Sequence, residues 1–283
     1  MKFMREIVSV HNCHYQYEDG TKAVNGVSFS IRKGEKVAFL GANGSGKSTL
    51  FLCMNGVLRP TKGEIRLEGE PILYNRKGLL KHRSKVGIVF QEPDNQLFSA
   101  SVYQEISFGI LNLGATEDEA RREVERVIQE LEITPFQKKP VHCLSGGQKK
   151  QVAIADILVM NPKLILLDEP ASALDPRHTA LVRKMIDQLV EKNITVLIST
   201  HDMNYAHRWA DRVIIFKDGN IMADGAPEEL FVKKDFIEEC NLVQPEVVKM
   251  FQFLCEHGIL KQTQKVPRTM EELEQYLLND KMN

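Results

Sequence analysis

The pattern of apolar and polar positions changes period several times along the chain, and each change marks an element. Ile7, Val8 and Val10 open a strand, and KAVNGVSFSI (Lys22 to Ile31) alternates with the period of two of a half-buried strand. Arg32-Lys33-Gly34-Glu35 is a turn. KVAFL (Lys36 to Leu40) is a short apolar strand that runs into a glycine-rich loop, and STLFLCMNG (Ser48 to Gly56) follows as a helix with Gly56 at its end. The pattern then turns helical. Thr116 with Glu119, and Ser145 with Gln148, have the spacing of capping boxes. After the first, Ala120, Val124, Val127, Ile128 and Leu131 fall on one helical face; after the second comes the apolar stretch Val152 to Met160. LILLD (Leu164 to Asp168), TVLIST (Thr195 to Thr200) and RVIIF (Arg212 to Phe216) are continuous apolar runs, which suit parallel strands buried on both faces. Asp175-Pro176 supplies the N-cap and first residue of a helix between the first two. Strands alternating with helices predict an α/β fold. The insertion from Gln91 to Asn161 is expected to be a mostly helical subdomain. From Lys233 the chain is helix-rich and broken by Pro245 and Pro267, with a third capping-box spacing at Thr269 and Glu272.

A chain of 283 residues accommodates one large domain or a domain with an appendage. With 43% hydrophobic and 27% charged residues the composition is ordinary for a globular protein. A formal net charge of −1 gives no electrostatic footprint for nucleic acid, so no nucleic-acid partner is expected. The five cysteines are scattered and never spaced CxxC, which predicts small buried hydrophobes in a reducing cytosol rather than disulfides or a zinc site. No apolar run approaches the roughly 18 residues of a spanning helix. The N-terminal MKFMREIVSV lacks the apolar core and cleavage site of a signal peptide. Any membrane role is therefore expected to run through a partner.

Gly41, Ala42, Asn43, Gly44, Ser45, Gly46, Lys47 and Ser48 match GxxxxGK[ST], with Thr49 next. The chemistry explains the residue types. Glycines let the backbone curl so that successive N–H groups face a phosphate, and the helix that follows points its positive end at the same anion. Lys47 supplies a full charge to the β/γ-phosphates of a nucleotide, and the Ser48 hydroxyl is a ligand for Mg²⁺; kinases, GTPases and many ATPases all share this loop. A buried strand before this loop and a helix after it are the context such a motif requires.

The stretch LSGGQ, Leu144 to Gln148, narrows the field. With it the chain resembles the ABC (ATP-binding cassette) ATPases over about its first 230 residues. That resemblance implies an α/β fold: a P-loop NTPase (RecA-like) core with an antiparallel β subdomain, a helical signature subdomain within about 91–161, and a small helical C-terminal extension. It divides the chain into an ATPase domain, 1–234, and an extension, 235–283, for dimerisation or regulation. LILLDE resembles the Walker B strand: Asp168 would hold Mg²⁺, directly or through water, and Glu169 would be the general base on the attacking water. Gln91, after VGIVF (Val86 to Phe90), resembles the Q-loop glutamine that touches Mg²⁺ or the water. His201 in ISTHD resembles the switch histidine at the γ-phosphate, and Asp175 in SALD the D-loop residue that crosses between subunits. Tyr17 resembles the aromatic that stacks on adenine, with Tyr15 its competitor. Ser145 caps a helix whose first amides are bared by Gly146 and Gly147, a second anion site beside Gln148 that in this family closes over ATP held by the other subunit. Two departures stand out. Lys150 and Gln151 occupy positions where glutamine and arginine are usual, and Asp156 sits where arginine or glycine is usual.

PDNQLF (Pro93 to Phe98) with SFGILNLG (Ser107 to Gly114), and the tail with PEVVKMFQFLCEHG and VPRTMEEL, resemble the ATPases of energy-coupling-factor importers, most of all those for cobalt. The resemblance implies a translocase that hydrolyses ATP as a peripheral protein on the cytoplasmic face of the cell membrane. Its partners would be a second ATPase chain, favouring a homodimer, and integral membrane subunits. Related importers carry nickel or vitamins, and these remain alternatives. Leu97, Phe98, Val102, Phe108 and Leu111 are candidates for an apolar groove that receives a membrane-subunit helix, with about half of them expected in the subdomain core instead. A DNA-maintenance ATPase would need a long coiled coil between Lys47 and Ser145, where no sustained heptads occur.

Overall fold

A computed structural model describes residues 6–261 and 265–280; the first five residues, on which the signal-peptide argument partly rests, lie outside them. In chain order the elements are β1 (Glu6–Gln16), β2 (Lys22–Arg32), β3 (Lys36–Leu40), α1 (Lys47–Asn55), β4 (Lys62–Leu67), β5 (Glu70–Pro71), α2 (Arg76–Arg83), β6 (Val86–Val89), α3 (Val102–Asn112), α4 (Glu117–Glu130), α5 (Gly146–Leu158), β7 (Leu164–Asp168), α6 (Pro176–Glu191), β8 (Thr195–Thr200), α7 (Met203–Trp209), β9 (Arg212–Lys217), β10 (Asn220–Gly225), α8 (Pro227–Leu230), α9 (Lys234–Glu239), α10 (Glu246–Glu256) and α11 (Met270–Asp280). The α/β class is as expected, and KVAFL, LILLD and TVLIST form strands with the predicted limits. Among the described residues no helix is long and apolar enough to cross a membrane.

The chain divides into two compact units, one ending at Glu35 and resuming over Ser48–Ser199, the other made of Lys36–Lys47 and the residues from Thr200 on. The first holds an antiparallel sheet ordered β2-β1-β4-β5. β1 is bulged at Asn12 (φ +45°), between the pairs Val10↔Phe29 and Cys13↔Val27. Gly63 of β4 lies so close that a Cβ there would overlap the Asn12 carbonyl. The same unit holds the parallel strands β6, β7 and β8, in which every residue is buried. Helix α5 packs on β6 and α6, and α3 and α4 pack on α5. Helices α3, α4 and α5 lie in the segment 91–161 expected to be mostly helical. Its two capping boxes form: Thr116 and Glu119 bond reciprocally at the start of α4, and Ser145 and Gln148 at the start of α5. The parallel register, Val86↔Leu164 to Val89↔Leu167, brings the carboxyl ends of β6 and β7 to one edge. Gln91 follows one and Glu169 the other.

In the second unit β3 runs parallel to β9 (Val37↔Arg212), and β9 turns back into β10 through Asp218-Gly219, whose φ values of +49° and +76° fit the turn type that a right-twisted hairpin favours. The C-terminal segment is fastened to α7 and α8. The neutral imidazole of His207, with its pKa held down by burial, donates from Nε2 to the Pro267 carbonyl at 2.9 Å. Arg268 donates to Glu228 Oε1 (2.6 Å) and to the Ala210 carbonyl (2.6 Å). The third capping box forms by half. Glu272 N–H donates to Thr269 Oγ1 (3.2 Å), but the Glu272 carboxylate takes the Arg268 N–H (2.7 Å) rather than the amide of the cap residue. Arg268, already anchored by its guanidinium, presents its own amide to that carboxylate.

Candidate functional site

The loop between β3 and α1 is shaped by three glycines in conformations that a Cβ disfavours: Gly41 (φ +152°), Gly44 (+79°) and Gly46 (+105°). A side chain on Gly41 would overlap the Phe216 carbonyl oxygen and stand 2.7 Å from Ser45 Oγ. Ser45 N–H donates to the Ala42 carbonyl (3.2 Å), and Gly219 N–H donates to the Ser45 carbonyl (3.0 Å). Lys47 is 6% exposed, and its ammonium donates to the carbonyls of Gly41 (2.7 Å) and Ala42 (3.0 Å) and to Ser45 Oγ (3.3 Å). The charge thus sits inside the curl of the loop. Asn43 and Gly44 at the loop tip are exposed, as is Ser48; Thr49 is buried.

At the end of β7, Asp168 and Glu169 are 7% and 6% exposed. Ser199 of β8 holds both: its hydroxyl donates to Asp168 Oδ1, while Glu169 N–H donates to Ser199 Oγ at 3.0 Å and to its carbonyl at 3.2 Å. Glu169 has φ +44°, and Ser172 Oγ donates back to its carbonyl (3.0 Å). A non-glycine residue in the left-handed region is uncommon, and here the surrounding hydrogen bonds impose it. Ser199 shares β8 with two other hydroxyls, Thr195 and Thr200, and nothing in the pattern of TVLIST singles it out.

At the start of α5, Ser145 Oγ accepts the Gln148 N–H (3.3 Å), and Gln148 Oε1 accepts the Ser145 N–H (3.1 Å). Gly146 is exposed. Gly147 is buried, because the His178 ring lies where a Cβ would be. Asp175 fixes that ring. It caps α6 by accepting the His178 N–H (3.0 Å) and bonds His178 Nδ1 at 2.5 Å. The Asp175 pKa is lowered, first by the His178 backbone bond and then by its ring.

The sequence profile of the ABC transporter family matches residues 24–172. The energy-coupling factor transporter ATP-binding protein EcfA2 of Clostridium perfringens is 45% identical over 251 residues, 88% of each chain. Among solved structures, CbiO1 of Clostridium perfringens, part of the ABC transporter complex CbiONQ, matches with a TM-score of 0.74 at 43% identity, covering 88% of this chain and 99% of that one. The ATP-binding cassette MJ0796, as a dimer in a post-hydrolysis state with ADP and Pi, matches with a TM-score of 0.71 at 30% identity, covering 78% and 99%. The chain belongs to the ABC transporter ATPases. It binds and hydrolyses ATP as the ATPase subunit of a transporter of the energy-coupling-factor type.

The remaining ABC positions fall as follows. Gln91 is exposed just past β6. His201 is exposed between β8 and α7, whose cap Asp202 accepts the Tyr205 N–H at 2.9 Å. Tyr17 is 38% exposed, its hydroxyl 2.9 Å from Thr49 Oγ1 and its ring edge-on to Tyr15 at 4.9 Å. Of the five groove candidates, Leu97 and Val102 are core, whereas Phe98 (67% exposed), Phe108 (47%) and Leu111 (42%) face outward. Phe98 and Phe108 meet edge-to-face at 4.9 Å.

The departures in the signature helix acquire partners. Lys150 is buried and donates to the carbonyls of Phe90 (3.0 Å) and Gln91 (2.8 Å). Burial pushes its ammonium down to about 8, against the opposing pull of Asp168 and Glu169. Gln151 Nε2 donates to the Leu131 carbonyl (3.1 Å). Asp156 Oδ2 accepts from Gln96 Nε2 (3.2 Å), and burial raises its pKa to about 7.

Proposed function

We propose that this chain works as a homodimer that hydrolyses MgATP at sites shared between two copies, driving an importer at the cytoplasmic face of the membrane, with cobalt as the cargo. The observation that carries the chemistry is the buried Asp168–Glu169 pair, fixed by Ser199 at the strand edge that also bears Gln91. Lys47 and the amides of Gly41 to Thr49 hold the triphosphate, and Tyr17 offers a ring face to adenine. Ser48, Gln91 and Asp168 offer hydroxyl, amide and carboxylate oxygens, the hard donors that suit Mg²⁺. The ion, when bound, neutralises charge across the phosphate oxygens. The Glu169 carboxylate orients the attacking water and takes its proton, while His201 contacts the γ-phosphate. Ser145, Gly146, Gly147 and Gln148 close over ATP held by the partner copy, and Asp175 lies along the crossing. The dimeric MJ0796 cassette supports that assembly, and the exposed Phe98, Phe108 and Leu111 support a membrane-subunit contact. Cobalt rests on the likeness of the tail and of the segment after Gln91 to cobalt-importer ATPases, with CbiO1 in support.

Replacing Glu169 with Gln tests the chemistry. ATP binding should persist, turnover should fall about 10²–10⁴-fold, and an ATP-loaded dimer should accumulate. Turnover within about twofold of the parent would remove Glu169 as the base. Co-purification of membrane subunits, followed by uptake of labelled cobalt against nickel and vitamins, tests the cargo.

A further inference from the structure

The strand that leads to Gln91 ends in a way that needs help. β6 stops at Val89, its last paired residue, opposite Leu167, and the carbonyls of Phe90 and Gln91 leave the ladder. A partly buried carbonyl without a donor is costly, and two adjacent ones that face the same point form a negative spot. The signature helix supplies what they lack. Lys150 projects from α5 with 1% exposure and places one ammonium on both oxygens, at 3.0 Å and 2.8 Å. The other side of Phe90 is tied to the same helix through Gln96. Its N–H donates to Gln96 Oε1 (3.4 Å), and Gln96 Nε2 reaches the Ala153 carbonyl (3.0 Å) and Asp156 Oδ2 (3.2 Å). Lys149 adds an ion pair to Asp94 at 2.6 Å. The backbone at Phe90 is therefore held at its acceptor by Lys150 directly and at its donor by Gln96, itself bonded to α5. The side chains concerned include Lys150 and Asp156, two of the residues that set this helix apart. The Lys150 charge also feels Asp168 and Glu169, which stand at the end of the strand that β6 pairs with.

We propose that Lys150 is a positioning residue for ATP hydrolysis: by fastening the Phe90 and Gln91 carbonyls to the signature helix, it sets where the Gln91 side chain stands relative to Asp168 and Glu169. The proposal rests on the role given to Gln91 above and adds a residue that touches neither nucleotide nor metal. Lysine serves here because one compact ammonium can donate to two carbonyls at once. Glutamine also has two N–H donors, but it is uncharged and one bond shorter, so it holds them more weakly. An apolar side chain cannot satisfy them at all. Displacing a catalytic group by about 1 Å costs on the order of 10²-fold in rate.

The test uses the full chain with MgATP. Lys150→Met should lower kcat roughly ten- to a hundredfold, leave nucleotide affinity within about twofold, and leave the circular dichroism spectrum unchanged. Lys150→Gln should recover part of the loss. A double-mutant cycle separates positioning from mere support: in a Gln91→Ala background, Lys150→Gln should have no further effect on kcat. Should Lys150→Met fail to fold, that cycle carries the test alone. A Lys150→Met chain with parental kcat would overturn the proposal. So would a Lys150→Gln effect that persists undiminished in the Gln91→Ala background. Both outcomes leave the ATPase reading intact, whereas a parent chain that turns over no ATP would defeat that reading itself.

Discussion

Helices α1 and α5 both start at glycine-containing loops suited to phosphate, yet they are built by opposite means. Ahead of α1 the backbone does the shaping. Three glycines at positive φ curl the loop, and the Lys47 ammonium folds back onto its carbonyls. At α5 Gly146 and Gly147 have no such φ, and side chains do the shaping. Ser145 and Gln148 cap the helix, His178 occupies the space above Gly147, and Lys149, Lys150, Gln151 and Asp156 tie its body to the neighbouring segments. A loop that must wrap an anion has its geometry fixed in φ and ψ, where few substitutions are tolerated. A helix end that must meet an anion from outside needs only bare amides and a firm seat. The second design lets residue types vary, provided the replacements find partners. Lys150, Gln151 and Asp156 have found them.

The comparison breaks most visibly at Gly41. Gly41→Ala brings a Cβ onto the Phe216 carbonyl at a φ of +152°, so ATP affinity should fall at least about a hundredfold, a loss of roughly 2.7 kcal/mol by titration calorimetry. Affinity within threefold would mean that the loop shape is not held by this glycine. At α5 the expected sensitivity is electrostatic. The Asp156 pKa rises from 3.8 to about 7 on folding. A carboxyl shifted upward costs stability where it is ionised in both states, and the cost is relieved as pH falls from about 7 toward 4. Asp156→Asn keeps an oxygen for Gln96 and carries no charge, so it should stabilise the chain by about 1–3 kcal/mol at pH 8. The gain should shrink by pH 5; an equal gain at both pH values in chemical denaturation would contradict the account. The smallest effect on stability is expected at Gly146, where the nearest obstacle to a Cβ is Leu174 Cδ2 at 3.9 Å. Gly146→Ala should leave stability unchanged or raise it by up to about 1 kcal/mol while lowering turnover. Parental turnover would mean that these amides do not meet ATP.

The parts of the molecule that depend on local pattern were legible in the sequence. The fully buried strands β7 and β8, the caps at Thr116, Ser145 and Asp175, and Gly56 closing α1 at φ +78° all appear where spacing and residue type place them. The strand β10 was missed although Asp218-Gly219 is a hairpin signal, because NIMADG has no regular apolar–polar alternation and none of its residues is buried. Ser199 was invisible as a site residue, since its partners Asp168 and Glu169 lie some thirty positions earlier and meet it only through parallel pairing of β7 with β8. The same holds for Lys150. In the sequence it is a departure from a motif, and its reason is a pair of carbonyls on a strand end sixty residues upstream.

The central claim is that each ATP is enclosed by the phosphate loop of one copy and the signature helix of another. A chain carrying Lys47→Ala is mixed with one carrying Ser145→Arg, each defective alone, and nucleotide trapping is measured in the mixed dimer. One site then pairs the intact Lys47 of the second chain with the intact Ser145 of the first, so trapping should return at one site per dimer. If mixed dimers form and none traps ATP, the shared-site account is contradicted.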